Sequence, residues 1–504
     1  MTSSPAPASS ASSSPGPTET DHRTYDVVVL GGGAVGENAA DRAGRGGLTV
    51  VVVEAELVGG ECSYWACMPS KALLRPGAAL EAARAVDGAA QGVTGMLDVG
   101  AVLARRDSFA SGWDDAGQVQ WLETTGIDLV RGHARLTGPR TVEVHHEGQA
   151  TTITARCAVI VATGSEPVVP EVPGLAESQP WTSREATAAQ EVPASLVVLG
   201  GGVVATEMAT AYADLGSTVT VLVRGDRLLS AMEPAAGEAV TAGLRARGVD
   251  VRFSTSPTRV TRRGSGVEVE TEAGVVTAEE VLVATGRRPR SGDLGLENVG
   301  LEPGAPVAVD DSMHVAAVAD GWLYAVGDVT GRVATTHQGK YDARVAGDVI
   351  AARFGAAAQE EADGHVEPAA AESQPAWSRY RATADHGALT QVVFTRPEVA
   401  SVGLTETAAV EAGHAVRRVE VPFSSVAGAA LARDEVEGRA ILVVDTEREV
   451  VLGATFVGPE VAELLHAATI AVVGEVPLPR LWHAVPPYPT VSEVWLRLLE
   501  EYGL

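Results

Sequence analysis

Two of the three cysteines in this 504-residue chain, Cys62 and Cys67, stand with four residues between them in GGECSYWACMPSK, residues 59–71. In a reducing compartment a close cysteine pair either binds metal or cycles between dithiol and disulfide. Zinc asks for about four ligands, as two cysteine pairs or with histidines at short spacing. The remaining thiol, Cys157, falls in the apolar run ARCAVIVATG, which suits a buried structural cysteine. No metal site is expected, and a redox-active disulfide fits. The pair precedes a helical stretch from about Pro69, and a helix N-terminus lowers a thiol pKa and favours the thiolate.

The same stretch ends in Lys71. Of 38 basic side chains only Lys71 and Lys340 are lysines; the rest are arginines. Either chance left these two, or a compact ammonium does something there that a guanidinium cannot.

Such residues need elements to position them, and an internal repeat supplies them. Residues 26–40 read DVVVLGGGAVGENAA and residues 196–210 read LVVLGGGVVATEMAT. Each is a short β-branched run, a glycine turn and a helix start. The turns carry Gly31, Gly33 and Gly36 in the first copy and Gly200, Gly202 and Ala205 in the second. Such turns let backbone N–H groups approach a pyrophosphate at a helix N-terminus. Each copy closes on the same words, VIVATGSEP at 159–167 and VLVATGRRP at 281–289, so Thr163, Gly164 and Gly286 join the cofactor-binding set. Two motifs in strand–turn–helix context indicate a duplicated dinucleotide-binding domain.

The copies differ where nucleotide choice is made. The second strand of the first copy ends at Glu54, an acid that can take a ribose 2′-hydroxyl. The matching position in the second copy is Val223, followed by Arg224 and Arg227. Cations in place of the acid suit a 2′-phosphate, hence NADPH over NADH, unless the arginines are ordinary surface charges.

Composition bounds the rest. No apolar run reaches the ~18 residues that span a membrane. The N-terminus has neither a basic start nor an apolar run, so it is not a secretory signal. Its Ser, Pro and Ala content suggests a disordered tail over 1–23, and a cytoplasmic protein is expected. A net charge of −27 argues against nucleic-acid and anionic-membrane partners.

The cysteine stretch resembles the redox motif GGTCxNxGCxPSK of the class I pyridine nucleotide-disulfide oxidoreductases, the FAD-dependent family of lipoamide dehydrogenase, glutathione reductase, mycothione reductase and mercuric reductase. WLYAVGDVTG at 322–331, FTRPEVASVGLTE at 394–406 and GATFVGPEVAELL at 453–465 extend the resemblance over nearly the whole chain. It implies an α/β fold with two Rossmann-like domains and a C-terminal α+β interface domain. The FAD domain would be 24–165 and 285–355, the NAD(P) domain 166–284 and the interface domain 388–504, forming a homodimer. Segment 356–387, acidic and rich in Ala and Pro, is expected to be a flexible insertion.

The resemblance also implies roles. Cys62 would be the interchange thiol and Cys67 the thiol next to the flavin. Lys71 would lie near flavin N5 with Glu207 as its acidic partner. Asp328 would hold the ribityl chain, and Ala134 would meet the adenine through its backbone. His337 and Lys340 open the helix after Asp328, close to the flavin, as cofactor contacts or as packing and solubility residues.

The pattern breaks in three places. The family's HPTxSE, whose histidine serves the partner subunit, here reads YPTVSE: Glu493 is kept, but Tyr488 stands for the histidine. A phenol titrating near ~10 rarely accepts a proton at neutral pH. His483, five residues earlier, is either a substitute base or a surface residue. Between the cysteines, Tyr64 and Trp65 replace small residues; they reshape access to Cys62, offer a stacking face to a planar acceptor, or simply pack. Val203 replaces the tyrosine that gates the nicotinamide pocket. A terminal cysteine pair and an N-terminal CxxC are both missing, which speaks against a mercuric reductase or a large thioredoxin reductase.

The expected function is hydride transfer from NADPH, through FAD and Cys62–Cys67, to a small disulfide-type acceptor. Two rivals stay open: direct reduction of a quinone or other planar acceptor, and a redox-sensing flavoprotein without turnover.

Overall fold

In the computed structural model the described residues are 21–355 and 374–504. The hydrophobic run Val27–Leu30 forms the C-terminal end of strand β1 (Asp21–Leu30), fully buried because cores cover both faces of the sheet and parallel neighbours pair both edges. Those neighbours are β2 (Val50–Glu54) and β6 (Gln149–Val161). With β3 (Ile127–Arg131), β4 (His133–Gly138) and β5 (Thr141–His146) they give the order β3-β2-β1-β6-β5-β4, and strand Leu323–Ala325 adds to β6. Helix α1 (Ala34–Gly44) follows β1 and packs on helix Thr336–Phe354. Glycine permits that close crossing: a Cβ on Gly347 would lie 2.4 Å from the Arg42 Cβ.

A second parallel sheet runs Asp250–Arg252, Thr218–Leu222, Ser195–Leu199, Glu280–Val283, flanked by the antiparallel strands Pro257–Arg263, Gly266–Thr271 and Gly274–Ala278. The chain crosses between the two sheets twice, along Ser165–Pro167 and Arg287–Pro289, which pair antiparallel. The C-terminal part is a five-stranded antiparallel sheet whose core includes Phe423, Phe456 and Leu498. The architecture is the expected one: two Rossmann-like units and an α+β domain. Among the described residues no helix is long and apolar enough to cross a membrane.

Two segment expectations change. The tail expected over 1–23 overlaps β1, because Asp21, His22 and Arg23 pair with Thr151, Thr152 and Ile153 of the long β6; residues 1–20 lie outside the described residues. Within the segment expected to be flexible, 356–373 lies outside the described residues, but 374–387 is pinned. Ala382 is fully buried, Arg381 pairs with Asp311 at 2.8 Å, and Arg332 pairs with Asp385 at 2.8 Å. Asp385, the one acid of 374–387, is thus an ion-pair partner.

Candidate active site

The cysteine stretch folds as two helices, α2 (Gly60–Tyr64) and α3 (Cys67–Arg84). It is pressed onto the first glycine turn. Gly59, at φ +110°, donates its N–H to Gly32 O at 2.7 Å, and a Cβ on Gly60 would lie 2.8 Å from Gly33 Cα. Only glycine permits this approach, so the dinucleotide turn and the thiols are positioned as one piece.

Cys67 is the first residue of α3, and no side chain caps that N-terminus. Its Sγ lies 3.2 Å from Thr336 Oγ1, at the start of helix Thr336–Phe354. Both cysteines are free thiols. A hydrogen bond from Cys62, a second from Thr336 and the Lys71 charge bring Cys67 down to about 6, against the opposing effect of burial. The same hydrogen bond, together with burial, pushes Cys62 up. The pair therefore favours a thiolate on Cys67 over one on Cys62. One turn along α3, Lys71 Nζ reaches Glu207 Oε2 at 2.7 Å.

The aromatic insertions pack. Tyr64 is fully buried, its hydroxyl donating to Val58 O at 3.0 Å. Trp65 is covered by the Arg184 guanidinium, 4.0 Å from the ring centroid. The offered stacking face is thus occupied from within the chain. Arg184 also binds Glu61 at 2.6 Å, and Arg287 reaches Glu61 at 3.4 Å.

The first glycine turn fits a dinucleotide. Gly31 has φ +104°, and a Cβ on Gly36 would lie 1.9 Å from Gly31 O, whereas Gly33 has nothing nearer than 3.9 Å on its Cβ side. Helix α1 has no side-chain cap, which leaves N–H donors facing that open side. Glu54 is held at the end of β2 by the Gly32 N–H at 2.7 Å and the Glu56 N–H at 2.7 Å, and burial raises its pKa. Asp328 accepts from Ser165 Oγ at 2.6 Å, Thr163 Oγ1 donates to Arg290 O at 2.7 Å, and Gly164 turns at φ +73°. Ala134 is buried in β4, paired with Val144. This donor and acceptor set fits the pyrophosphate, ribose and ribityl chain of FAD. The residues that would hold it are the Gly31–Gly36 turn, Glu54 and Asp328.

The second turn has the same form. Gly200 has φ +131°, Ala205 is buried, and both Gly202 and Gly286 have open Cβ positions. Val223 is buried against Gly201, while Arg224 and Arg227 are exposed at the strand end. Arg227 donates to Ser230 O at 2.7 Å.

Four expected residues make no hydrogen bond to the thiols. His337 is exposed and bridges Thr335 and Thr390, which ties the start of its helix to the interface domain. Tyr488 is 77 % exposed and His483 is exposed, and neither hydrogen-bonds the cysteines. Glu493 is buried; one oxygen pairs with Arg497 at 2.7 Å and the other has no hydrogen-bond partner, so within one chain it orients neither Tyr488 nor His483. Sequence reasoning missed Thr336, Glu61 with its arginines, and Glu37. Glu37 is a carboxyl of α1 that burial pushes up to about 7 and whose Oε1 is buried without a partner. The only signal for Thr336 was its place beside His337.

Comparison with known proteins agrees with this geometry. The family model for pyridine nucleotide-disulphide oxidoreductases matches residues 25–343, and the model for their dimerisation domain matches residues 389–498. Curated relatives include mercuric reductase of Staphylococcus aureus, 30 % identical over 93 % of this chain and 81 % of its own. Dihydrolipoyl dehydrogenase of Bacillus subtilis is 32 % identical, over 94 % and 96 %. Among solved structures, the Cu(II) complex of the HOCl-induced flavoprotein disulfide reductase RclA from Escherichia coli superposes with TM-score 0.80 at 23 % identity, covering 95 % of this chain and 99 % of that one. LpdA from Mycobacterium tuberculosis gives TM-score 0.76 at 24 % identity, covering 96 % and 100 %.

Proposed function

Because the chain belongs to the FAD-dependent pyridine nucleotide-disulphide oxidoreductase family, we propose that it draws hydride from NADPH and reduces a small disulfide through Cys62 and Cys67, as a cytoplasmic homodimer. The observation that carries this reading is the asymmetry of the thiols. Hydrogen bonds from Cys62 and Thr336, the Lys71 charge and the α3 N-terminus favour the thiolate on Cys67, while that same pairing and burial push Cys62 up.

When bound, FAD supplies the two-electron relay between nicotinamide and sulfur. Lys71, ordered by Glu207, keeps a positive charge beside Cys67 and so favours negative charge in the reduced site. Cys62 attacks the acceptor, and Cys67 closes on Cys62 to release the second product thiol. Exposed Arg224 and Arg227, beside the buried Val223 and flanking the exposed Asp226, support NADPH over NADH, since a 2′-phosphate pairs with arginine. Tyr488 supports an acceptor whose exchange does not depend on an imidazole from the partner. The buried Tyr64 and covered Trp65 give no support to a planar acceptor stacked on them.

The test is steady-state oxidation of NADPH and NADH by the protein and its Cys62→Ser variant, with lipoamide, glutathione disulfide, mycothiol disulfide and a soluble benzoquinone. Turnover of a disulfide, lost in the variant, supports the reading. Reduction of the quinone alone, equal in both proteins, sinks it. No NADPH oxidation with any acceptor points to a redox sensor.

A further inference from the structure

Three arginines close on Glu61, the residue before Cys62. Arg184 donates to it at 2.6 Å, Arg287 reaches it at 3.4 Å and Arg290 stands 3.9 Å away. Two of the three are fully engaged. Arg184 also binds both oxygens of Glu56, at 3.0 and 2.5 Å. Arg287 donates to Ser165 Oγ at 2.8 Å, to Ser165 O at 2.8 Å and to Ser183 Oγ at 3.3 Å. The Arg290 guanidinium makes no hydrogen bond among the described residues, and at 3.9 Å its pairing with Glu61 is Coulombic only. The set therefore holds three guanidinium groups against the two carboxylates of Glu56 and Glu61, and the positive charge left over sits on Arg290.

Backbone contacts place that charge at the first glycine turn. The Arg290 N–H donates to Gly164 O at 3.0 Å, and the Arg290 carbonyl accepts from Thr163 Oγ1 at 2.7 Å. Thr163 flanks one end of the turn: a Cβ on Gly31 would lie 3.3 Å from Thr163 Cα. Glu61 flanks the other end, because its neighbour Gly60 packs on Gly33. Arg290 is thus anchored at the Gly31 end and reaches toward the Gly33 end, where α1 begins without a side-chain cap. An uncapped helix N-terminus offers N–H donors and a partial charge of about +0.5, whereas a diphosphate carries a charge on each phosphate. A guanidinium supplies a full positive charge and pairs with phosphate through two parallel N–H donors. The Arg290 side chain is 41 % exposed, so a ligand can reach it.

We propose that Arg290 is a second recognition element for the FAD diphosphate, a cation that exchanges Glu61 for a phosphate oxygen when the cofactor binds. Glu61 is its positioning residue. It steers the guanidinium over the turn without satisfying its donors, and it keeps Arg184 and Arg287 when Arg290 turns to phosphate, so no carboxylate is left unpaired. The same network reaches Asp328, since Arg287 donates to Ser165 Oγ and Ser165 Oγ donates to Asp328 at 2.6 Å. The carboxylate for the ribityl chain and the guanidinium for the diphosphate thus hang from one set of contacts centred on Glu61. NADPH also carries a diphosphate, but its turn at Gly200–Ala205 lies on the second sheet, whereas both backbone bonds of Arg290 are made to the first unit. The inference goes beyond the disulfide-reductase reading and holds whichever acceptor the protein reduces.

The experiment is FAD release from the purified holoenzyme on serial dilution, read as the rise in flavin fluorescence at low and high salt. Arg290→Met and Arg290→Gln should each weaken FAD binding about tenfold at low salt. The parent's affinity should fall with added salt more steeply than theirs, because the variants have lost a screened charge. Arg290→Lys keeps the charge without the fork; it should lose about threefold and retain the parent's salt dependence. Arg288→Met is the control, an exposed arginine of the same ribbon paired with Glu166 at 2.7 Å, and it should stay within about twofold of the parent. Parent-like FAD affinity in Arg290→Met or Arg290→Gln overturns the proposal, as does an equal loss in Arg288→Met or a loss in Arg290→Lys as large as in the neutral variants. A raised KM for NADPH with unchanged FAD affinity overturns it too, by giving Arg290 to the other diphosphate. Disulfide turnover by the FAD-saturated parent is a separate readout, and its absence sinks the acceptor reading without touching this one.

Discussion

Lys71 and Glu207 meet at 2.7 Å although they stand 136 positions apart, on two helices that share one buried core. The second Glu207 oxygen accepts the Phe394 N–H at 3.0 Å, from the C-terminal domain. One carboxylate, 3 % exposed, therefore joins the thiol helix, the second dinucleotide unit and the interface domain.

Lys71→Met leaves that carboxylate buried with a single neutral partner. Lys71 is itself 36 % exposed, so solvent screening keeps the loss modest, about 1–3 kcal/mol. The urea midpoint of Lys71→Met should fall by the corresponding amount, while Glu207→Gln, which retains the Phe394 acceptor, should fall less. Equal midpoints in all three proteins would show that the pair contributes nothing to stability.

The Cys67 thiol, brought down to about 6 from the ordinary 9.0, makes a signed prediction. A group whose folded pKa is depressed stabilises the fold above its unfolded pKa and loses that stabilisation as pH falls through the folded value. The Cys67 contribution to the reduced protein should thus be fully present above pH 9 and gone below about 6. Thr336→Val removes one lowering hydrogen bond and should move the thiolate absorbance titration up by about half to one unit. A titration midpoint near 9 in the parent would refute the assignment.

Arg224→Ala with Arg227→Ala should raise KM for NADPH about tenfold, equivalent to ~1.4 kcal/mol, with KM for NADH nearly unchanged. Steady-state kinetics with both nucleotides decides it. Parallel increases for the two would mean that the arginines do not read the 2′-phosphate.

The C-terminal domain exposes Ile470 at 58 % and Val485 at 82 %, apolar groups suited to burial against a second copy. Ile470→Glu with Val485→Glu should give a monomer by sedimentation velocity. Flavin reduction by NADPH should survive in that monomer, since both glycine turns lie within one chain. A dimer that persists places the interface elsewhere.

What the sequence disclosed was the local chemistry. Glycine turns, the acid after the second strand and a cysteine pair before a helix are legible because each depends on residues adjacent in the chain. What it hid were meetings across long separations. Thr336 reaches Cys67 across 269 positions, and Arg184 covers Trp65 from a helix packed on the other sheet. Composition also misled at 374–387. The segment's composition resembles a solvated linker until Arg332 is seen to pair with Asp385 and Arg381 with Asp311. Glu37 was invisible for a related reason, because a carboxylate in a first helical turn is ordinary and only its burial makes it unusual.

The two strands Ser165–Pro167 and Arg287–Pro289 form a short ribbon and are the only backbone passage between the two parallel sheets among the described residues. A ribbon of two hydrogen-bonded strands bends readily across its face but resists shear and stretching along its length. That ribbon is not the sole fastening, because Leu73 and Leu74 of the thiol helix lie in one buried cluster with Leu196, Met208 and Tyr212 of the second unit. The thiol helix is therefore also a wall of the nucleotide half, and the Lys71–Glu207 pair is the polar stitch in that shared wall.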